Sequence, residues 1–237
     1  MKILYIYPHP DDESFGSAHV MSQQRRQGHE VYLLTLTKGG ATKQRFRLNL
    51  SVEAMGEVRF KEMLNVAKIL DLTDMTVLDL PDSGLKEMDP REIERVVKDH
   101  IEKIQPQVIL TYAVHGISGF HDHLVSHAVV KRVFMELRDA GATYLKRLAF
   151  VTLRAEIAAK SPHFHLNGSK PEEIDCVVHV DQQDMDRFQR ALDCYETFQE
   201  TIDKSGVRDM MTTEAVFEIY QEQHDPPLTD LCQGLTL

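Results

Sequence analysis

Lys2-Ile3-Leu4-Tyr5-Ile6-Tyr7-Pro8-His9-Pro10-Asp11-Asp12-Glu13 decides the reading of this chain. Its first half is an unbroken apolar run of strand length, the pattern of a β-strand buried on both faces. Its second half releases an imidazole and three carboxylates within five residues. Adjacent carboxylates repel, so such a cluster at a strand end is costly unless something neutralises it. His with Asp in this proximity is a partial ligand set for zinc. A plainer alternative is that Asp11, Asp12 and Glu13 load the first turn of a helix, whose positive end favours acids. Each proline also biases its predecessor towards an extended backbone, which keeps His9 at the strand end.

Working outward, an amphipathic helix is expected from Ser14 to Gln27, stopping at Gly28 where positive φ is free of penalty. Residues 30–37 read as a second buried strand, and strand–helix–strand units imply a parallel sheet with right-handed crossovers. A Gly-rich turn follows, then a basic stretch with Lys43, Arg45 and Arg47, read as a solvated lid-like loop. A helix over 51–70, a strand over 75–80, a helix over 90–104 with Pro90 in its first turn, and a strand over 107–112 continue the alternation. The fold class is therefore α/β: a three-layer α/β/α sandwich on a Rossmann-like, mostly parallel sheet. One domain spans 1–237. Its part from about 150 onward, with a helix over 185–202 and then the stretch Thr213-Glu214-Ala215-Val216-Phe217, is expected to complete the cleft.

The strand at 107–112 runs into a second cluster, His115-Gly116-Ile117-Ser118-Gly119-Phe120-His121-Asp122-His123, and then a helix over 122–138. With His127, four of the chain's 12 histidines fall within thirteen positions. His127 alone reads as a structural histidine. Both clusters, and the turn Pro81-Asp82-Ser83-Gly84, directly follow strands, and in open parallel sheets ligands collect beyond the strand carboxyl ends. That convergence points to a mononuclear metal site.

Composition bounds the function. The chain is 42% hydrophobic and 27% charged with a net charge of −10, which argues against nucleic acid or anionic membrane as partner. No apolar run reaches membrane-spanning length, and the first residues read as a strand and not as a signal peptide. Three widely spaced cysteines suit a reducing compartment, so the protein is expected to be cytoplasmic. The oligomeric state stays open, a homo-oligomer included.

His9-Pro10-Asp11-Asp12-Glu13-Ser14 and Gly119-x-x-Asp122-His123 resemble the two signature motifs of the LmbE-like superfamily. It contains the GlcNAc-phosphatidylinositol de-N-acetylases (PIG-L) and the mycothiol and bacillithiol deacetylases. Arg59-x-x-Glu62 and the Asp82 turn extend the resemblance, which covers about the first two-thirds of the chain. It implies His9, Asp12 and His123 as ligands of zinc, with ferrous iron as the alternative metal. It further implies Asp11 as general base, Arg59 and Asp82 as substrate-binding residues, and a small-molecule N-acetylated sugar conjugate as substrate. Asp122 suits an outer role, accepting an imidazole N–H. The implied activity is N-deacetylation of an N-acetylglucosamine-type conjugate. The alternatives are an amidase for a larger acyl group, or a metal- and sugar-binding protein whose catalysis has lapsed. The departure lies at Phe120, where the family carries a histidine that assists catalysis. His121 takes over from one residue along, or His115 or His127 supplies the group, or catalysis is altered; His121 is favoured. Arg59 with Glu62 could also be a plain helix ion pair, and Tyr195 and Glu196 leave aglycone specificity open.

Overall fold

The computed structural model describes residues 1–161 and 163–236. The first apolar run forms β1 (Lys2–Tyr7), and the chain then alternates. α1 (Asp12–Gly16) and α2 (Ala18–Arg26) lead to β2 (Glu30–Thr37). α3 (Gln44–Arg47) and α4 (Val52–Ile69) lead to β3 (Asp74–Leu80), and α5 (Pro90–Ile104) leads to β4 (Val108–Tyr112). α6 (His121–Asp139) leads to β5 (Arg147–Thr152). The remainder is α7 (Ala155–Ala158), β6 (Cys176–His179), α8 (Gln182–Asp193), α9 (Gln199–Ser205), α10 (Val207–Met210) and β7 (Glu214–Ile219).

The sheet order is β3-β2-β1-β4-β5-β7-β6. The first five strands are parallel, and β7 runs antiparallel to both β5 and β6. Alternate β1 residues feed two separate cores, as a pleated central strand must. Ile3, Tyr5 and Tyr7 pack with α2, α4 and α8 through Met21, Met63 and Phe188. Leu4 and Ile6 pack with α5 and α6 through Val97, Ile101 and Phe134. These are the three expected layers. β2 and β4 flank β1 on opposite sides, so the strand order reverses between β1 and β4, and a crevice opens beyond their carboxyl ends.

Local signals explain several boundaries. Ser51 caps α4 by accepting from Ala54 N (3.1 Å), and Gly28 has φ 85°. Two helices are shorter than their apolar periodicity predicts. The 14–27 helix begins earlier, at Asp12, and breaks at Ser17, whose φ of −135° is non-helical and whose Oγ bonds Tyr7 Oη at 2.6 Å. The 185–202 helix is interrupted after Asp193 by a 3-10 turn, Glu196–Phe198. The basic stretch forms the short α3, with Gln44 bonding Thr201 Oγ1 (3.2 Å) and Arg47 donating to Thr197 O (3.3 Å). Among the described residues no helix is long and apolar enough to cross a membrane.

Candidate metal centre and active site

Strands β1 and β4 deliver the two motifs to one point. After β1, Thr37 holds Pro8 O through both its amide (3.0 Å) and its hydroxyl (2.9 Å). Asp11 then adopts φ 89°, a left-handed conformation costly for a residue with a Cβ. Its amide donates to Tyr195 Oη (2.8 Å), and Tyr195 in turn donates to Glu13 Oε1 (2.6 Å). Arg59 fixes the side chain: Nη2 donates to Asp11 Oδ2 (2.6 Å) and to Pro10 O, while Nη1 donates to Gly39 O (3.0 Å). The guanidinium lies 4.3 Å over the Phe198 ring. Arg59 thus spends Nη2 on the Asp11 turn and Nη1 on the Gly39 loop. Glu62 pairs elsewhere, accepting from Thr197 N (2.8 Å) and Oγ1 (2.9 Å), so no Arg59–Glu62 ion pair forms.

Asp12 is the centre of the cluster. Its Oδ2 accepts from His9 N (2.8 Å) and its Oδ1 from Tyr112 Oη (2.7 Å). His9 Nδ1 stands 3.5 Å from Oδ2, and His123 Nε2 stands 3.3 Å from Oδ1. Ligand atoms of His9, Asp12 and His123 lie within 4.8 Å of one another.

The outer bonds of the two imidazoles decide what faces inward. His123 Nδ1 meets Gly116 O at 2.9 Å, and a carbonyl only accepts, so Nδ1 carries the proton. His9 Nε2 meets Asp122 Oδ2 at 3.1 Å and Asp82 Oδ1 at 3.4 Å, so it is the donor there. In neutral rings this leaves His123 Nε2 and His9 Nδ1 as lone pairs aimed at a carboxylate. Acceptors facing acceptors need a proton or a cation between them, so the donor set fits a divalent metal with nitrogen and oxygen ligands. In the metal-free protein protons take that place. Burial alone would lower the His9 pKa, but Asp12, Asp122 and Asp82 together push it up to about 10. Burial likewise works against ionised Asp12, yet His123 and His9 hold it far below the usual carboxylate range.

Asp11 differs from its neighbour. Burial raises it to about 7, with Arg59 opposing and Asp12 and Glu13 adding to the rise. Among the described residues its Oδ1 has no hydrogen-bond partner. A carboxyl with one oxygen clamped, one free and a pKa near neutrality can exchange a proton with a bound reactant.

Asp122 accepts from Ser83 N (2.8 Å) and Leu85 N (3.3 Å) as well as from His9, tying the Asp82 turn to the cluster. The imidazole that it orients is that of His9 and not the adjacent His123. Asp82 Oδ2 accepts from Ala41 N (2.6 Å). His121 opens α6, exposed, and no hydrogen bond joins it to the cluster among the described residues. Phe120 sets its ring edge-on to His123 with centroids 5.6 Å apart. His115 turns away, its Nδ1 accepting from Ile117 N (3.1 Å), and His127 donates from Nδ1 to Tyr112 O (2.8 Å).

Tyr112 escapes a reading of the sequence, and Tyr195, which the sequence links to aglycone specificity, is placed inside the protein under Asp11. Tyr112 stacks on His123 (4.2 Å, 7°) besides bonding Asp12, and Tyr195, fully buried, pins Asp11 from below. Tyr112 looks like an ordinary core aromatic; only its position as the last residue of β4 hints at its role. A cavity of about 330 Å³ lies between Thr152, Arg154, Ile157, Met211 and Glu214, and none of the cluster residues lines it.

A deacetylase for 1D-myo-inositol 2-acetamido-2-deoxy-alpha-D-glucopyranoside from Thermomonospora curvata is 30% identical over 152 residues, 55% of this chain and 51% of the relative. Mycothiol S-conjugate amidase from Streptomyces coelicolor is 28% identical over 157 residues, 59% of this chain and 53% of the relative. The chain thus spans about half the length of the curated relatives it matches. The crystal structure of a deacetylase in the teicoplanin biosynthesis pathway superposes with a TM-score of 0.72 at 14% identity, over 92% of this chain and 97% of that one, and shows a shared fold. The GlcNAc-PI de-N-acetylase (PIG-L) family model matches residues 4–134, which include both clusters, and the chain belongs to that family.

Proposed function

We propose that this protein is a metal-dependent hydrolase that removes the acetyl group from an N-acetylglucosamine-type conjugate, with zinc as the metal. One observation carries the proposal: inward lone pairs of His9 Nδ1 and His123 Nε2 converge with the Asp12 carboxylate, each ring oriented by an outer bond. A zinc ion held by these three residues would polarise the amide carbonyl and lower the pKa of a water from about 15.7 towards about 7. Asp11 accepts the attacking water's proton at Oδ1 while Arg59 keeps Oδ2 in place, and then returns that proton to the departing amine. His121 is the exposed imidazole of the second motif, whereas His115 and His127 already bond the protein. We assign to it the assistance that the family draws from its histidine. Asp82, beside His9, is assigned to a sugar hydroxyl, and Arg59 acts on substrate through Asp11. The segment beyond residue 150, which supplies Tyr195 beneath Asp11, completes the cleft. The free thiols of Cys176, Cys194 and Cys232 accord with a cytoplasmic enzyme.

The test is release of acetate from N-acetylglucosaminyl conjugates, with metal content measured on the same samples. Asp11→Asn is expected to keep its metal and lose turnover, and His123→Ala to lose metal. Equal metal loss in both variants would overturn the division of roles. Absence of turnover in a metal-loaded wild type would favour the lapsed reading prompted by Phe120. Preference for larger acyl donors would favour an amidase.

A further inference from the structure

The peptide unit joining Gly116 to Ile117 works on two histidines at once. Its carbonyl, Gly116 O, accepts from His123 Nδ1 (2.9 Å), and its amide, Ile117 N, donates to His115 Nδ1 (3.1 Å). Rotating this plane would break both bonds together. The plane is not at rest by local preference. Gly116 has φ 62° and Ile117 φ 54°, and a β-branched residue in the left-handed region is a genuine outlier that persists only when its surroundings impose it. A Cβ on residue 116 would stand 2.9 Å from His123 Cβ, so the turn and the ring are in close approach.

What imposes the conformation can be followed outward. Because Ile117 N–H is a donor, His115 Nδ1 must be a lone pair, the ring is neutral, and its proton sits on Nε2. Nε2 is 3.2 Å from Thr152 Oγ1. Thr152 Oγ1 is 2.6 Å from Ser169 Oγ, and Ser169 donates to Glu218 Oε1 at 2.5 Å. A carboxylate at the far end only accepts, and the shortest bonds then run one way: His115 Nε2–H to Thr152, Thr152 to Ser169, Ser169 to Glu218, with longer contacts from Thr152 to Leu153 O (3.3 Å) and from His115 Nε2 to Ser169 (3.5 Å). Thr152 and Ser169 are 4% and 1% exposed, so water does not compete for these bonds. Glu218 lies on β7, opposite Phe150 of β5, and is fixed by the sheet. On the other side of the turn, Asn167 donates to Ile117 O from both its amide (2.7 Å) and its side chain (3.0 Å). The same direction excludes a nucleophilic Ser169, because the His115 nitrogen nearest to it carries a proton and cannot act as its base.

We propose that Glu218, Ser169, Thr152 and His115 form a positioning relay that locks the Gly116–Ile117 peptide and thereby holds His123 in its metal-ready tautomer and orientation. The inference rests on His123 being a metal ligand, as proposed above. All four residues but His115 lie outside the family-matched segment 4–134, so the relay couples the C-terminal third to the metal site.

The test uses the full chain with Ser169→Ala, which cuts the relay remotely, His115→Phe, which removes both His115 bonds, and His115→Asn, which restores an acceptor near the Ile117 amide. Two readouts are taken: the ring protonation pattern by long-range nitrogen–proton NMR, for His115 in metal-free protein and for His123 in zinc-loaded protein, and zinc affinity by chelator competition. Wild type is expected to show His115 protonated on Nε2 and His123 on Nδ1. Ser169→Ala is expected to mix the His115 tautomers and weaken zinc binding by about tenfold, the low end for outer partners of metal ligands. His115→Phe should weaken it further, and His115→Asn should recover part of the loss. Zinc affinity within twofold of wild type and an unchanged His123 tautomer in both Ser169→Ala and His115→Phe would overturn the relay. If wild type binds no zinc, the ligand reading fails instead, and the His115 tautomer still decides whether the relay exists.

Discussion

Replacing Tyr112 by Phe removes a single atom from the metal centre, and its consequence can be worked out. The ring stacks on His123 at 4.2 Å and 7°, and phenylalanine keeps that stack. Only the bond from Oη to Asp12 Oδ1 (2.7 Å) is lost. Burial, reinforced by the Asp12 charge, pushes the phenol well above its ordinary pKa, so the group is a donor at any working pH. Tyr112 is 4% exposed, so no water takes the hydroxyl's place. Asp12 Oδ1 is then left with His123 Nε2 at 3.3 Å, which in the metal-ready tautomer presents a lone pair. A hydrogen bond to a charged group contributes about 1.5–3 kcal/mol. With tenfold in affinity per about 1.4 kcal/mol, Tyr112→Phe should weaken metal binding by roughly tenfold to a hundredfold. The metal-free fold should lose less, about 0.5–1.5 kcal/mol, since there the protonated His123 still faces Asp12 Oδ1. Chelator competition and urea unfolding of the metal-free protein measure the two effects. Zinc affinity within twofold of wild type would refute the view that this hydroxyl orients Asp12.

Arg59→Met should lower turnover by roughly a hundredfold and unfolding free energy by about 3–5 kcal/mol, because it strands Asp11 and two carbonyls; Arg59→Lys restores the charge but not the fork and should recover only part of the turnover. Steady-state kinetics and denaturation curves check both. His19 is fully buried with neither ring nitrogen bonded among the described residues, and burial lowers it to about 4 against a weaker opposing effect of Asp184. The unfolded chain therefore binds the extra proton between about pH 6.5 and 4, so stability falls as pH falls through that window, by up to about 3 kcal/mol. His19→Phe, which keeps a ring against Phe188 (5.7 Å), should remove this loss in a comparison of unfolding free energies across that window. Parallel curves for the two proteins would count against it. Taking the difference between them cancels Asp11, whose raised pKa acts with the opposite sign over the same range.

Buried apolar runs and chain punctuation determine, by themselves, the parallel half of this protein. β1, β2, β3 and β4 stand where continuous hydrophobic stretches predict them, with Gly28 and Pro90 at their helix boundaries. His9, Asp12 and His123 converge because a parallel sheet brings the carboxyl ends of neighbouring strands together whatever separates them in the chain. Other features needed the tertiary structure. The runs at 147–152 and 176–179 carry no local mark of strand neighbours or direction, and the antiparallel β7 between them is chosen by long-range pairing. The helix break at Ser17 follows from a hydroxyl bond to Tyr7 that no periodicity reveals. Tyr112 and Tyr195 gain their roles from partners 100 and 184 positions away and Glu218 from one 49 positions away, and a side chain's partner in space is not written in its own neighbourhood. Local sequence sets which residues are buried and which backbone each can adopt; only packing decides which buried polar groups meet.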